Sequence, residues 1–180
     1  FGTSEVVFND DGEDIDFRIE GDTNSELFFV DAGNERVGIG TGSPDSLLHL
    51  AANNTAIGSD WSAAGNLIRI EDSDVTQANG QVIGGFLFEG KDTNAPGVQA
   101  ALMANANSGT GGGQLRFYTA ATSATLSGTE DPRLLIDGAG NVGIATSTPN
   151  FNLDVNGTVG ITEGSALSWH NGNGNKAAQI

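Results

Sequence analysis

The chain has 180 residues, of which 37% are apolar, 27 are glycine and none is cysteine; 23 acidic against 7 basic side chains leave a formal charge of −16. A field of that sign repels phosphate backbones and anionic lipid surfaces, so nucleic-acid and membrane-surface binding are disfavoured. The absence of cysteine removes disulfides, thiolate metal sites and cysteine nucleophiles together.

Short apolar segments separated by Gly, Asn, Thr and Ser, with no helix-length periodicity, exclude a helical bundle, argue against a doubly wound α/β fold and predict an all-β chain. Taken in order, Val6–Phe8 reads as a short strand and Asn9–Gly12 as a turn. Ile15, Phe17 and Ile19 then alternate with Asp14, Asp16, Arg18 and Glu20, giving one buried and one wet face. After a turn at 21–24 comes Leu27-Phe28-Phe29-Val30-Asp31, a tight Gly33-Asn34 turn, Val37-Gly38-Ile39-Gly40-Thr41 and Ser43-Pro44, followed by the alternating Leu48 and Leu50. Residues 51–66 are small and polar and read as a linker carrying an isolated Trp61. Longer strands are predicted at 67–71, 81–89, 98–104 and 115–118, an antiparallel meander.

The earlier phrase then returns. Leu134-Leu135-Ile136-Asp137, Gly140-Asn141, Val142-Gly143-Ile144-Ala145-Thr146, Ser147 and Pro149 realign with the first copy after a small gap in the turn, and Leu153 and Val155 follow the proline. Residues 157–161 read as a further thin strand, and Trp169–Asn175 as a loop after a strand around Leu167. A strand-turn-strand unit repeated in one chain points to a structure that propagates by repetition. Each such unit offers two or three apolar side chains to one face, which is marginal for an isolated hairpin. Three chains around a common axis would share an interior and cover one another's edges, so a parallel homotrimer is expected. Its interior is assigned to Phe17, Ile19, Phe28, Val30, Val37, Ile39, Leu135, Val142 and Ile144, with Gly38, Gly40 and Gly143 allowing close approach near the axis.

The segments Asp16–Asp22, Leu27–Asp31 and Arg36–Thr41 with Ser43-Pro44 resemble the repeat of tailed-phage tail fibres, particularly those of marine phages. The second copy, from Pro132 through Val142-Gly143-Ile144 to Gly157, resembles the same fibres upstream of a C-terminal self-cleaving chaperone. Val82–Phe88 with Leu115–Tyr118, and Trp169-His170-Asn171-Gly172-Asn173, are similar to further parts of such fibres. The resemblance implies a trimeric virion fibre, extracellular, that meets other tail or fibre proteins and a glycan or protein of the host surface. The 180 residues carry none of the chaperone's features, so either the segment stops short of it or that domain has been removed; the missing initiator Met and the strand-like ending at Ile180 lead to the expectation of a segment of something longer.

Other motifs weigh less. Gly138–Gly143 satisfies G-x-G-x-x-G after an apolar strand, but Ile144–Pro149 cannot open the helix that would hold a pyrophosphate, so a hairpin turn is expected. Asp10–Asp14 and Asp72-Ser73-Asp74 bring together hard oxygen ligands suited to calcium, without the EF-hand spacing. His49 and His170 have no third ligand at a recognisable spacing, so zinc or iron is not expected. Carboxylates are numerous, yet Glu89 after Phe86-Leu87-Phe88 is the best single acid and lacks a visible partner for glycosidase chemistry. Trp61, Tyr118 and Trp169, in or beside polar loops, are the candidate glycan contacts.

The sequence thus predicts a non-enzymatic, all-β fold in which short-strand repeats form a trimeric shaft of β-prism or β-helix type. Its divisions are a repeat section at 1–50, an inserted antiparallel meander at 51–130, a second repeat section at 131–162 and a further segment from 163 to 180. No catalytic residue and no cofactor is expected. The alternatives are a subunit of a bacterial surface filament or adhesin, and a carbohydrate-active domain of tailspike type.

Overall fold

The computed structural model describes residues 7–9, 11–52, 67–107, 112–121, 124–162, 168–170 and 176–179. Among them are twelve strands in three sheets and no helix, so the chain is all-β. It divides into two compact units, Phe1–Arg69 and Ile70–Ile180.

The first unit is a four-stranded sheet of β1 (Phe17–Ile19), β2 (Phe28–Asp31), β3 (Arg36–Ile39) and β4 (Leu48–Leu50), in that spatial order. The first two pairings are antiparallel and β3–β4 is parallel. The second unit holds a six-stranded sheet of β5 (Val82–Gly90), β6 (Gly97–Asn107), β7 (Gly112–Thr119), β8 (Leu134–Ile136), β9 (Val142–Ile144) and β10 (Leu153–Val155). Its strands also lie in chain order, all antiparallel except β9–β10. A separate two-stranded sheet pairs β11 (Ser168–His170) with β12 (Lys176–Gln179).

The structural repeat is one strand longer than the repeated phrase. In the first unit Arg18 pairs with Phe29 and Phe29 with Gly38; in the second, Arg116 pairs with Leu135 and Leu135 with Gly143. Thus β7-β8-β9-β10 reproduces β1-β2-β3-β4 strand for strand. Leu115-Arg116-Phe117, read from the sequence as the last strand of the meander, is also the counterpart of Phe17-Arg18-Ile19.

Turn chemistry explains the common path. Asp31 accepts the Asn34 amide at 2.9 Å, and Asp137 accepts those of Ala139 and Asn141 at 2.9 and 2.8 Å. Such side-chain acceptors fold the chain back without a strict two-residue turn. The left-handed residue is not the expected Gly-Asn pair in the first copy but Glu35 (φ 56°); in the second it is Gly140 (φ 86°), as in a three-residue hairpin. The Asp137–Asn141 hairpin also accounts for the glycine-rich Gly138–Gly143 phrase.

Each parallel return is made by an eight-residue loop, 40–47 or 145–152, with no helix. The loop opens on a left-handed residue, Gly40 (φ 80°) or Ala145 (φ 56°), and Thr41 or Thr146 accepts the amide two residues on, at 3.1 or 3.3 Å. It doubles back so closely that a β-carbon on Gly143 would lie 2.8 Å from the Thr146 carbonyl oxygen, and one on Gly38 would meet Thr41 in the same way. These glycines therefore serve a loop of their own chain, a different role from close approach between chains. Ala145 tolerates with a side chain what Gly40 does without one. Ala145→Gly is expected to stabilise the fold by about 0.5–1 kcal/mol, read as a higher urea midpoint at unchanged slope.

Several expected elements differ. Residues 67–71 and 157–161 lie outside any ladder, as do Val7 and Phe8, while Val6 lies outside the described residues. Ile70 packs on the bare Cα of Gly84, and Phe8 stacks on Phe17 with ring centroids 4.9 Å apart, so these segments contribute side chains to packing without pairing their backbones. Trp169 and His170 belong to β11, where a loop was expected; Leu167 lies outside the described residues. The expected boundary between meander and second repeat falls inside one continuous sheet, because β7 pairs with β6 on one edge and β8 on the other.

Candidate functional site

Pairing fixes which side chains share a face, since residues opposite one another across a ladder point the same way. In the first unit two rows result, Phe17–Val30–Val37–Leu48 and Ile19–Phe28–Ile39–Leu50. Every member is apolar. In the second unit the corresponding rows run six strands wide: Gly84–Ala104–Leu115–Ile136–Val142–Leu153 and Phe86–Leu102–Phe117–Leu134–Ile144–Val155. Phe88 and Ala100 begin a third.

These rows are open over much of their length, with Phe8 packed on Phe17 and Ile70 on Gly84. Phe86, Leu115, Phe117, Ile136, Ile144 and Leu153 are between 37% and 61% exposed, and Ile19, Ile39 and Leu48 of the first unit are between 40% and 53% exposed. The other side of each sheet is covered in part by its own chain, although Leu87 and Arg18 there stay exposed. There the returning loop covers Gly38 or Gly143, and in the second unit the 124–130 segment is pinned by the Leu126 amide on the Val98 carbonyl at 2.7 Å. Among the described residues the buried apolar side chains are Ala101, Ala106, Leu135, Pro44 and Pro132, and Leu135 is the one large aliphatic among them. An apolar sheet face of this width, open at the same register in both units, is a candidate interaction surface.

Of the residues assigned to a shared interior, Phe17, Ile19, Phe28, Val30, Val37 and Ile39 all lie on the open face of the first unit. Val142 and Ile144 lie on that of the second. Leu135 does not: it shares its row with Arg116 and Gly143 on the covered side and is 0% exposed within its own chain. Its sequence neighbours Leu134 and Ile136 take the open positions. The Leu134-Leu135-Ile136 run has no alternation to separate them, whereas the register with Phe117 and Leu115 does. Sequence reading also missed Leu48, Leu50, Phe86, Leu102, Leu115, Phe117, Leu153 and Val155 on these rows. Their signal was the match between Phe17-Arg18-Ile19 and Leu115-Arg116-Phe117.

The remaining candidates are dispersed. Tyr118 is half-buried on the covered side, in the row of Leu87 and Ala101. Trp61 lies outside the described residues, and Trp169 is the central residue of β11. Glu89 pairs with Lys91 at 2.6 Å. Asp72 and Asp74 both accept the Gln81 side-chain amide, at 2.8 and 3.1 Å; Asp10 of the other acidic turn lies outside the described residues. Among the described residues no three His, Asp or Glu side chains gather as a metal would require. His49 lies on the covered side with Nδ1 3.2 Å from an Asp45 carboxylate oxygen.

Glu130 closes the 124–130 segment upon itself. One carboxylate oxygen accepts the Ser127 amide and hydroxyl at 2.8 and 2.9 Å, and the other accepts the Gly128 and Thr129 amides at 2.9 and 3.1 Å. The Ser127 amide foremost, then the residue's own amide and the Ser127 hydroxyl, lower its pKa from 4.5 to about 2. A depressed folded-state value contributes stability above the unfolded pKa, which is lost as pH falls through the folded one. Stability is therefore expected to hold above about pH 5 and to decline from about pH 4.5 towards pH 2. Glu130→Gln should flatten its share of that slope in urea titrations run across the range.

No protein-family model matches the chain, and no curated protein shows significant similarity to it.

Proposed function

We propose that this chain is a structural segment of a homotrimeric virion tail fibre that mediates attachment to the host cell surface. The observation that carries the reading is the pair of open apolar faces, built at the same register by the two copies of the repeat. A second and third copy of the chain are the occupants this geometry favours, because the chain supplies the same apolar face twice at the same register. In the trimer, Phe28, Ile39, Phe117, Leu134 and Ile144 meet their equivalents, while the acidic turns stay in solvent. The −16 charge per chain keeps such fibres from associating sideways. Attachment and the viral setting rest on the resemblance of the repeats; stiffness and threefold form rest on the open faces.

The rival within the same architecture is a bacterial surface filament or adhesin. Electron microscopy of particles labelled with an antibody to this chain separates the two. Label on threefold fibres at a virion baseplate is expected, whereas head-to-tail filaments on a cell surface would replace the viral reading.

A further inference from the structure

The covered side of the six-stranded sheet holds a cavity of about 360 Å³. Its walls are Val82, Leu87, Val98, Ala101, Met103 and Leu126, and its polar lining includes Asn105, Arg116, Tyr118 and Glu130. Arg116 is held in place by neutral groups. Its Nε–H and one Nη2–H go to Gln114 Oε1 at 3.0 and 2.5 Å, and one Nη1–H goes to the Tyr118 hydroxyl oxygen at 3.4 Å. Gln114 is fixed in turn by donating its amide to Asn107 at 3.1 Å. Of five guanidinium N–H groups, two are left, one on each terminal nitrogen.

Among the described residues no carboxylate pairs with this cation. The ion pairs among the described residues are Arg18–Glu20, His49–Asp45 and Lys91–Glu89. Glu130, the one acid in the cavity wall, fills its acceptor sites with four donors of its own segment. A half-buried arginine oriented by a glutamine and a tyrosine, and paired with no acid among the described residues, is a positioned cation.

We propose that this cavity binds a small monocarboxylate with an apolar body. The carboxylate takes the two free N–H groups of Arg116 together, in the planar fork that guanidinium offers, and the Tyr118 hydroxyl donates a third bond. The body packs on Val98, Met103 and Leu126. The site lies on the opposite side of the sheet from the open apolar rows, so it is independent of the proposed assembly.

The test is calorimetric titration of the full chain in about 0.15 M salt, where the net charge is screened beyond about 8 Å. Phenylacetate is compared with its neutral isostere phenylacetamide. At least tenfold tighter binding of phenylacetate is expected, with the difference abolished by Arg116→Gln and not restored by Arg116→Lys, which keeps the charge and loses the fork. Amide chemical shifts of the wild-type chain should move on phenylacetate addition at Tyr118 and at 126–128, a readout that needs no variant. Equal affinity for the two probes, no binding of either at 10 mM or so, or shifts centred elsewhere would overturn the proposal.

Discussion

Replacing Phe117 and Ile144 together by glutamate is expected to leave the chain folded and make it monomeric. Both side chains are 39% exposed in the single chain, so a carboxylate at either position keeps its water there. In the proposed trimer the same positions face their equivalents. Each substitution then forfeits roughly 1.5–3 kcal/mol of apolar burial, and the introduced charges must be desolvated beside like charges. Together the two changes weaken association by more than about 3 kcal/mol per chain, over a hundredfold in affinity. Val75→Glu is the control: it adds the same charge at a 95% exposed loop position outside the rows, and should leave the assembly state unchanged. Light scattering coupled to gel filtration, with circular dichroism to verify folding, reads all three proteins.

Leu135→Ala is expected to have the opposite signature. Leu135 is the one large apolar side chain fully enclosed by its own chain among the described residues, lying between Arg116 and Gly143 in the covered row. Its truncation removes transfer energy and leaves a cavity that short strands cannot collapse around, costing about 3 kcal/mol. Because an obligate assembly makes stability depend on concentration, the loss is best measured by urea unfolding in the monomeric Phe117→Glu, Ile144→Glu background. There Leu134→Ala, one residue away on the open face, should cost less than half as much. The same Leu134→Ala change in the wild-type background should appear mainly as weaker association. Two adjacent leucines with exchanged readouts would be hard to reconcile with any arrangement that buries both in one core.

Much of the fold was legible because the repeat spells out its punctuation: a Gly-Asn turn between two short strands, a proline after the second, and alternation after each proline; the Asp31 and Asp137 acceptors that close the turns were not read. The all-β class and the apolar positions of β1, β2 and β3 follow from period-two patterning. What was not legible has two physical causes. Where the apolar residues run on without alternation, as in Leu134-Leu135-Ile136, only pairing with Phe117, Arg116 and Leu115 tells which face each takes. Apolar segments also pack without pairing, as Ile70 does on Gly84 and Phe8 on Phe17, and no propensity distinguishes such a segment from a strand. The candidate sites divide the same way. The open faces were half visible, since the residues of the first copy were named, whereas β7 was taken for part of an independent meander. The cavity of Arg116 was invisible, because it is made by the 124–130 segment folding over β6 and β7, and Ala-Thr-Ser-rich sequence carries no signal of where it will lie.

The central claim is that these strands complete their interior with other copies of the chain. Sedimentation equilibrium of the full chain at micromolar concentration tests it most directly. A single species at three times the mass of the chain is the predicted result; a chain that stays monomeric, with Phe117, Leu134 and Ile144 still open to solvent, would contradict it.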